Sequence, residues 1–166
     1  MSKPSRPSTS ENATGQARTF FVTTRTAAGR SLFQTERMAN LLIDVFRSKM
    51  RAGKFTVLDF VIMPNHVHIL LSVPGETSIE EAMQLIKGSF SFRARKELEF
   101  HGEVWQRGFS DVRITDQQSF IKHREYVENN PIRAGLASSP KEYPFGSVHL
   151  KYLKRKQTAD TPRKPD

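Results

Sequence analysis

The sequence contains no cysteine. This absence excludes disulfide bonds, thiolate zinc sites and cysteine nucleophiles, and it suits a reducing compartment. Long apolar runs are missing as well, since no stretch approaches the roughly 20 residues that span a bilayer. The polar N-terminal residues lack the apolar core of a secretory signal. These absences predict a cytoplasmic protein without a membrane partner.

Acidic residues are scarce relative to basic ones. The chain has 26 Lys and Arg against 17 Asp and Glu, a formal net charge of +9. This excess favours a polyanionic partner, with nucleic acid the first candidate and an anionic membrane surface the second. A surface that is only solvated by its lysines would give the same count. The 166 residues, 12 of them Phe, suffice for one domain with a sizeable core.

The apolar pattern predicts the order strand, helix, strand, strand, helix, strand, helix. These elements are expected at residues 18–24, 35–51, 54–63, 66–73, 78–100, 111–115 and 116–130. The last helix should stop near Pro131, because proline disfavours a helical residue before it. Residues 1–16 are predicted to form a disordered tail, 17–150 the folded domain and 151–166 a basic, flexible tail. The order predicts an α+β fold, a ferredoxin-like, RRM-like split βαβ sandwich with an antiparallel sheet and helices packed on one side.

The third predicted strand contains His66 and His68. Side chains alternate across a strand, so both imidazoles project from the same face. Two adjacent imidazoles suit a divalent metal that takes oxygen atoms as its remaining ligands. Strand histidines that point at solvent or bond to neighbours are an equal alternative.

The third predicted helix has an apolar and a polar side. At 100° per residue, the side expected to face the core consists of Phe120, Ile121 and Val127. The opposite side consists of Lys122, His123, Tyr126 and Asn130. Tyr126 and Asn130 lie one turn apart on this face. A tyrosine close to a metal could attack a phosphodiester and form a covalent intermediate, whereas a plain surface tyrosine is the alternative.

The end of the second predicted helix mixes cations with aromatic residues, namely Lys87, Phe90, Phe92, Arg93, Arg95 and Lys96. This mixture suits single-stranded nucleic acid, since cations contact phosphates and rings stack on bases. Core phenylalanines beside a solvated charged face would give the same pattern.

Four blocks of the chain are distinctive in combination. They are residues 63–70 (MPNHVHIL), 85–90 (LIKGSF), 104–109 (VWQRGF) and 126–136 (YVENNPIRAGL). Their order and spacing resemble the HUH single-tyrosine transposases, which act on single-stranded DNA, over about residues 17–150. The last block is most similar to the IS200-like branch associated with repetitive extragenic palindromes (REPs), since the mobile-element branch usually has Gln in place of Asn130. The resemblance implies an HUH transposase-like catalytic domain at 17–150 on the ferredoxin-like fold.

The resemblance also implies roles for individual residues. Tyr126 matches the nucleophile that forms a 5′-phosphotyrosine link and releases a 3′-hydroxyl. His66 and His68 match two metal ligands and Asn130 the third, for Mg²⁺ or Mn²⁺. The residues expected to bind DNA are basic: Lys87, Arg93, Arg95, Lys96, Arg107, Lys122, His123 and Arg133.

The activity implied is that of a metal-dependent endonuclease and strand transferase. It would nick and rejoin single-stranded DNA that bears REP-like hairpins. No nucleoside triphosphate is needed, because the phosphotyrosine conserves the bond energy. A bacterial, nucleoid-associated protein acting as a monomer or homodimer is expected.

Two other functions compete with this one. A histidine-triad nucleotide hydrolase also has alternating strand histidines, but it needs a third at position 70, where this chain has Leu70. A non-catalytic nucleic-acid-binding module on the same fold needs neither the histidine pair nor a tyrosine facing it. The separation of Tyr126 from the two imidazoles distinguishes the second alternative.

Overall fold

The computed structural model of the protein describes residues 15–159. The strands are β1 (Arg18–Arg25), β2 (Thr56–Met63), β3 (His66–Val73) and β4 (Ser110–Ile114). The helices are α1 (Glu36–Arg51), α2 (Ile79–Leu98), α3 (Gln117–Arg133) and α4 (Ser147–Ala159). Helix α2 begins as predicted, since the Ser78 hydroxyl accepts a hydrogen bond from the Glu81 backbone N–H (3.1 Å).

The strands form one sheet in the order β2-β3-β1-β4, and every neighbouring pair is antiparallel. Together with the chain order β1-α1-β2-β3-α2-β4, this is the split βαβ arrangement of ferredoxin-like folds. The predicted α+β sandwich with an antiparallel sheet is therefore confirmed.

The main core lies between one face of the sheet and the layer formed by α1 and α2. Val67, Ile69 and Leu71 of β3 are fully buried there. Leu42 of α1 and Phe90 of α2 pack in the same cluster. Burial of these apolar side chains supplies most of the driving force for folding.

Helix α3 lies against the opposite face of the sheet. A smaller apolar cluster joins Val61 and Met63 of β2 to Val127 of α3 and to Tyr143. The Tyr143 hydroxyl also donates to the Ile62 carbonyl (2.6 Å). This cluster fixes α3 over the end of the β2-β3 hairpin.

Helix α3 differs from the prediction in its end and in its buried side. It continues through Pro131 to Arg133, because a proline in the last turn removes only one helical hydrogen bond. Ile121, predicted to face the core, is 46% exposed. The buried side of the helix is formed by Val127, Asn130 and Pro131 instead.

Helix α4 was not predicted. The sequence suggests a flexible tail from residue 151, whereas residues 151–159 continue this helix. The Ser147 hydroxyl anchors its start, since it donates to the Phe60 carbonyl (3.2 Å) and accepts from the Phe60 N–H (3.0 Å). Most of the predicted N-terminal tail (1–14) and the end of the predicted C-terminal tail (160–166) lie outside the described residues. Within residues 15–159 no helix is long and apolar enough to cross a membrane.

A buried carboxyl lies on the same face of the sheet as α3. Asp59 of β2 is 1% exposed, and its Oδ1 accepts from the Phe60 N–H (3.0 Å). Burial raises the pKa of Asp59 to about 6, Lys151 opposes this rise and Glu128 of α3 adds to it. Its Oδ2 gains a hydrogen bond only when a proton is shared with the Glu128 carboxyl.

Candidate active site on the histidine face of the sheet

The turn between β2 and β3 consists of Pro64 and Asn65 and is held at both carbonyls. The Phe33 N–H donates to the Pro64 carbonyl (3.0 Å), and the Thr26 N–H donates to the Asn65 carbonyl (3.0 Å). Met63 and His66 then pair directly across the hairpin. This register aims both imidazoles of β3 at the face that α3 covers.

The two histidines lie side by side, as the strand alternation predicts. Their ring centroids are 4.9 Å apart. His66 Nδ1 donates to Asn65 Oδ1 (2.8 Å), and His68 Nδ1 shares a hydrogen bond of 2.8 Å with Thr23 Oγ1. Since the amide oxygen can only accept, the His66 proton resides on Nδ1. The other side of the His66 ring interacts with the Asn130 side chain, and no hydrogen bond joins His68 Nε2 to another residue of 15–159. A ligand bound to both Nε2 atoms would therefore also adjoin Asn130.

The surroundings of both imidazoles favour the neutral form. Burial lowers the pKa of His66, and Arg25 lowers it further, although the Asn130 side chain opposes this shift. Burial also lowers the pKa of His68 to about 3, with smaller contributions from His66, Arg25 and Arg133. Neutral imidazole is the form that binds metal ions.

Tyr126 lies beside this pair in the same chain. Its ring centroid is 5.3 Å from that of His68 and 5.9 Å from that of Phe21. Phe21 in turn stacks on His68 at 5.4 Å. The tyrosine is 43% exposed, so a large substrate can reach its hydroxyl.

Asn130 lies where the third ligand is expected, although not on the side of α3 that the sequence predicts. It is 8% exposed and turned toward the sheet, where its side chain interacts with His66. Two neutral imidazoles and an adjoining amide oxygen fit a divalent ion such as Mg²⁺ or Mn²⁺. Within residues 15–159, no group of three or more His, Cys, Asp or Glu could hold a metal. The candidate ligand set therefore depends on the amide.

Two arginines flank the tyrosine and the histidines. The Arg133 guanidinium carbon is 4.1 Å from the centroid of the Tyr126 ring, and its Nη2 donates to the Tyr126 carbonyl (3.1 Å). Arg25, which sequence reasoning missed, pairs with His66 across β1 and β3. Arg25 is recognised as a neighbour of His66 only from the strand register, and local patterns in the sequence do not predict that register.

A cleft of about 460 Å³ opens beside Tyr126 along the exposed side of α3. Its lining residues are Phe21, Lys122, His123, Glu125, Tyr126, Asn129 and Arg133. His123 is fixed there, since its Nδ1 donates to the Ser119 carbonyl (2.7 Å) and its ring lies 4.9 Å from that of Phe21. The fold thus brings three of the residues predicted to bind DNA close to the tyrosine, namely Lys122, His123 and Arg133.

The basic residues of α2 are not brought to this cleft. Lys87 Nζ donates to the carbonyls of Gln106 (3.0 Å) and Gly108 (2.8 Å), and burial lowers its pKa. Arg93 forms ion pairs with Asp44 of α1 (2.7 Å) and with Glu97 (2.5 Å). Both side chains therefore engage acceptors of this protein, Arg93 within the helical layer and Lys87 in the segment that precedes β4.

The remaining predicted DNA-binding residues are exposed. Arg95 and Lys96 lie on α2, where Lys96 Nζ is 5.8 Å from the ring of Phe92, which is itself 66% exposed. Arg107 lies before β4, next to Gln106, whose N–H donates to the Arg25 carbonyl (2.8 Å). Arg107 is thus near the His66 end of the sheet. DNA contacts by these three residues remain predictions.

Comparison with known proteins agrees with this arrangement. The family model described as "Transposase IS200 like" matches residues 19–130. A REP-associated tyrosine transposase of Escherichia coli K12 is 24% identical over 132 residues, which cover 79% of this chain and 76% of that protein. A Haemophilus influenzae protein assigned to the same group is 25% identical over 105 residues, 57% of this chain. That match spans 60% of the Haemophilus protein's own length.

Two solved structures are similar in fold. One is a REP-associated tyrosine transposase bound to a REP hairpin, with a TM-score of 0.67 and 21% identity over 100% of this chain and 94% of that chain. The other is a transposase-like protein of Deinococcus radiodurans, with a TM-score of 0.52 and 17% identity over 76% and 96% of the two chains. The resemblance seen in the four sequence blocks is confirmed. Since the family model matches most of the described domain, the chain belongs to the family of IS200-like transposases.

Proposed function

We propose that this protein is a metal-dependent endonuclease and strand transferase that nicks and rejoins single-stranded DNA through Tyr126. The observation that supports this most directly is the 5.3 Å separation of the Tyr126 and His68 rings within one chain. A module that only binds nucleic acid has no need of a tyrosine beside two neutral, paired imidazoles.

The proposed reaction is a transesterification at phosphorus. The Tyr126 oxygen loses its proton and attacks the scissile phosphate, and the bond from phosphorus to the 3′-oxygen breaks. The leaving oxygen takes up a proton to become a 3′-hydroxyl, while the 5′-phosphate remains bonded to the tyrosine. Attack by a 3′-hydroxyl on this phosphotyrosine reverses the step and rejoins a strand.

The residues around Tyr126 divide the remaining tasks. His66, His68 and Asn130 would hold Mg²⁺ or Mn²⁺, which when bound supplies positive charge for the phosphate oxygens. Arg133 positions the tyrosine, because its guanidinium lies against the Tyr126 ring and donates a hydrogen bond to the Tyr126 carbonyl. Lys122, which lines the same cleft, offers a second cation for the DNA backbone.

The proposed substrate is DNA with hairpins like those of REPs, in the nucleoid of a bacterial cell. The net charge of +9 suits a polyanion, and a protein of the same fold is bound to a REP hairpin in its structure. Asn130, in place of the Gln usual in the mobile-element branch, favours processing of palindromes over movement of complete elements. Because Tyr126 and His68 of one chain already adjoin, a monomer suffices for the site.

Covalent trapping tests this proposal. Wild-type protein, Mn²⁺ and a hairpin oligonucleotide with a single-stranded flank should give a protein–DNA adduct that survives a denaturing gel. Tyr126→Phe should give none, whereas Tyr152→Phe, at a tyrosine of similar exposure on α4 (41%), should react like the wild type. If the wild type binds the hairpin yet forms no adduct, the protein is a non-catalytic binding module.

A further inference from the structure

The cleft beside Tyr126 contains two hydrogen-bond acceptors as well as its basic residues. Glu125 and Asn129 lie one turn apart on α3 and are both exposed. Asn129 Nδ2 donates to the Glu125 carbonyl (2.9 Å), which leaves its Oδ1 available as an acceptor. The Glu125 carboxylate forms no ion pair with any residue of 15–159, although the neighbouring Arg124 pairs with Glu128 (3.1 Å).

A carboxylate in this position is unfavourable for binding phosphate alone. It repels the DNA backbone and opposes the basic residues of the same cleft. Carboxylates in nucleic-acid interfaces instead accept hydrogen bonds from the amino groups of bases. The rings of Phe21 and Tyr126 line the same cleft and make part of its wall apolar. A volume of about 460 Å³ lies within the range of small-molecule sites and accommodates one nucleotide.

We infer that this cleft is a nucleotide subsite that selects a base with an exocyclic amino group and rejects thymine. Glu125 and Asn129 accept hydrogen bonds from the amino group, while Lys122 and Arg133 contact the phosphate of the same nucleotide. The inference rests on the proposed function, because the nucleotide concerned adjoins the phosphate that Tyr126 attacks.

The chemistry of the four bases separates them at such a site. Cytosine, adenine and guanine each present an amino group with N–H donors. Thymine has no amino group: its pairing edge presents two carbonyl oxygens around a single ring N–H, so it offers one donor where an amino group offers two. A site at which the Glu125 carboxylate and the Asn129 Oδ1 accept therefore discriminates against thymine.

Equilibrium binding tests the subsite without requiring cleavage. Tyr126→Phe protein, which keeps the ring, is titrated against labelled hairpins whose single-stranded flank carries each base in turn at each position. At one flank position, thymine should weaken binding about tenfold relative to the amino-bearing bases. Glu125→Gln, added to the same protein, should reduce this difference to about twofold, since the new amide N–H can donate to a carbonyl oxygen of thymine.

Glu76→Gln makes the same chemical change at an exposed residue outside the cleft and should leave the preference intact. Equal binding of all four bases at every position overturns the subsite. So does a Glu125→Gln protein that binds every flank more tightly by the same factor, because the carboxylate then only repels phosphate. Failure to bind any hairpin overturns the subsite and the proposed function together, whereas binding without an adduct from the wild type overturns the proposed function only.

Discussion

Strand β3 presents different chemistry to the two faces of the sheet. On one face Val67, Ile69 and Leu71 are sealed under α1 and α2. On the other, the Nδ1 atoms of His66 and His68 are held by Asn65 and Thr23, and the two rings lie under α3 beside Tyr126 and Asn130. One strand thus builds the main core and the candidate active site, and the two are separated only by the alternation of its side chains.

The basic residues differ between the faces in the same way. Arg93 and Lys87 of the helical layer engage acceptors within the protein. Lys122 and Arg133 of α3 line an open cleft, although Arg133 also donates from Nη2 to the Tyr126 carbonyl. A count of positive charge therefore overstates the DNA-binding surface, because cations that lie away from the cleft and pair within the protein stabilise the fold instead.

The largest expected effect comes from comparing a candidate site residue with a core residue of the same strand, β3. His66→Ala should abolish adduct formation with Mn²⁺ while hairpin binding stays within a few-fold, because the proposed metal ligand is lost and the fold is kept. Its neighbour Val67→Ala should lower the free energy of unfolding by about 2 kcal/mol and still form the adduct. Gel assays measure the adduct and the hairpin binding of both variants, and denaturant titration measures their free energies of unfolding. Equal loss of hairpin binding in His66→Ala would make His66 a structural residue.

The next effect compares arginines of the two faces. Arg133→Met should weaken hairpin binding several-fold and reduce the slope of log K against log salt by about 1, because one phosphate contact is lost. Arg93→Met should leave this slope unchanged and lower the free energy of unfolding by at most about 1 kcal/mol, as its ion pairs are partly exposed. Fluorescence anisotropy over a range of salt measures both proteins. A slope that changes only in Arg93→Met would place the DNA on the helical layer.

The last effect is on stability alone, without a change in DNA processing, and concerns the buried carboxyl on the histidine face. Burial raises the folded-state pKa of Asp59 to about 6, so the folded protein binds this proton more tightly than the unfolded chain does. Stability should therefore fall as pH rises from about 4 to about 6 and stay low above it. Asp59→Asn should remove this fall and raise the free energy of unfolding at pH 7 by about 2 kcal/mol. Denaturant titrations at both ends of that range measure it, and an unchanged pH dependence would contradict the assignment.

Local patterns of the sequence predicted the parts of the fold that depend on local rules. Alternation placed His66 and His68 together, and the apolar pattern put the start of α2 at residue 78, where Ser78 caps it. Arg25 and Asn130 were missed or misplaced because their positions follow from strand pairing and from the packing of α3 on the sheet. Helix α4 went unpredicted since its anchor, Ser147, acts through the distant Phe60. The role of Tyr126 needed the resemblance, because a surface tyrosine has the same helical spacing.

The turn of Pro64 and Asn65 limits how this chain can change in length. Thr26 and Phe33 hold both of its carbonyls, so an inserted residue cannot bulge outward without breaking these bonds. If the strands took up the inserted residue instead, the pairing of β3 would shift by one position. The imidazoles would then change places with Val67 and be buried among aliphatic side chains. Divergent descendants of this protein are therefore expected to vary the residues of the turn more freely than its length.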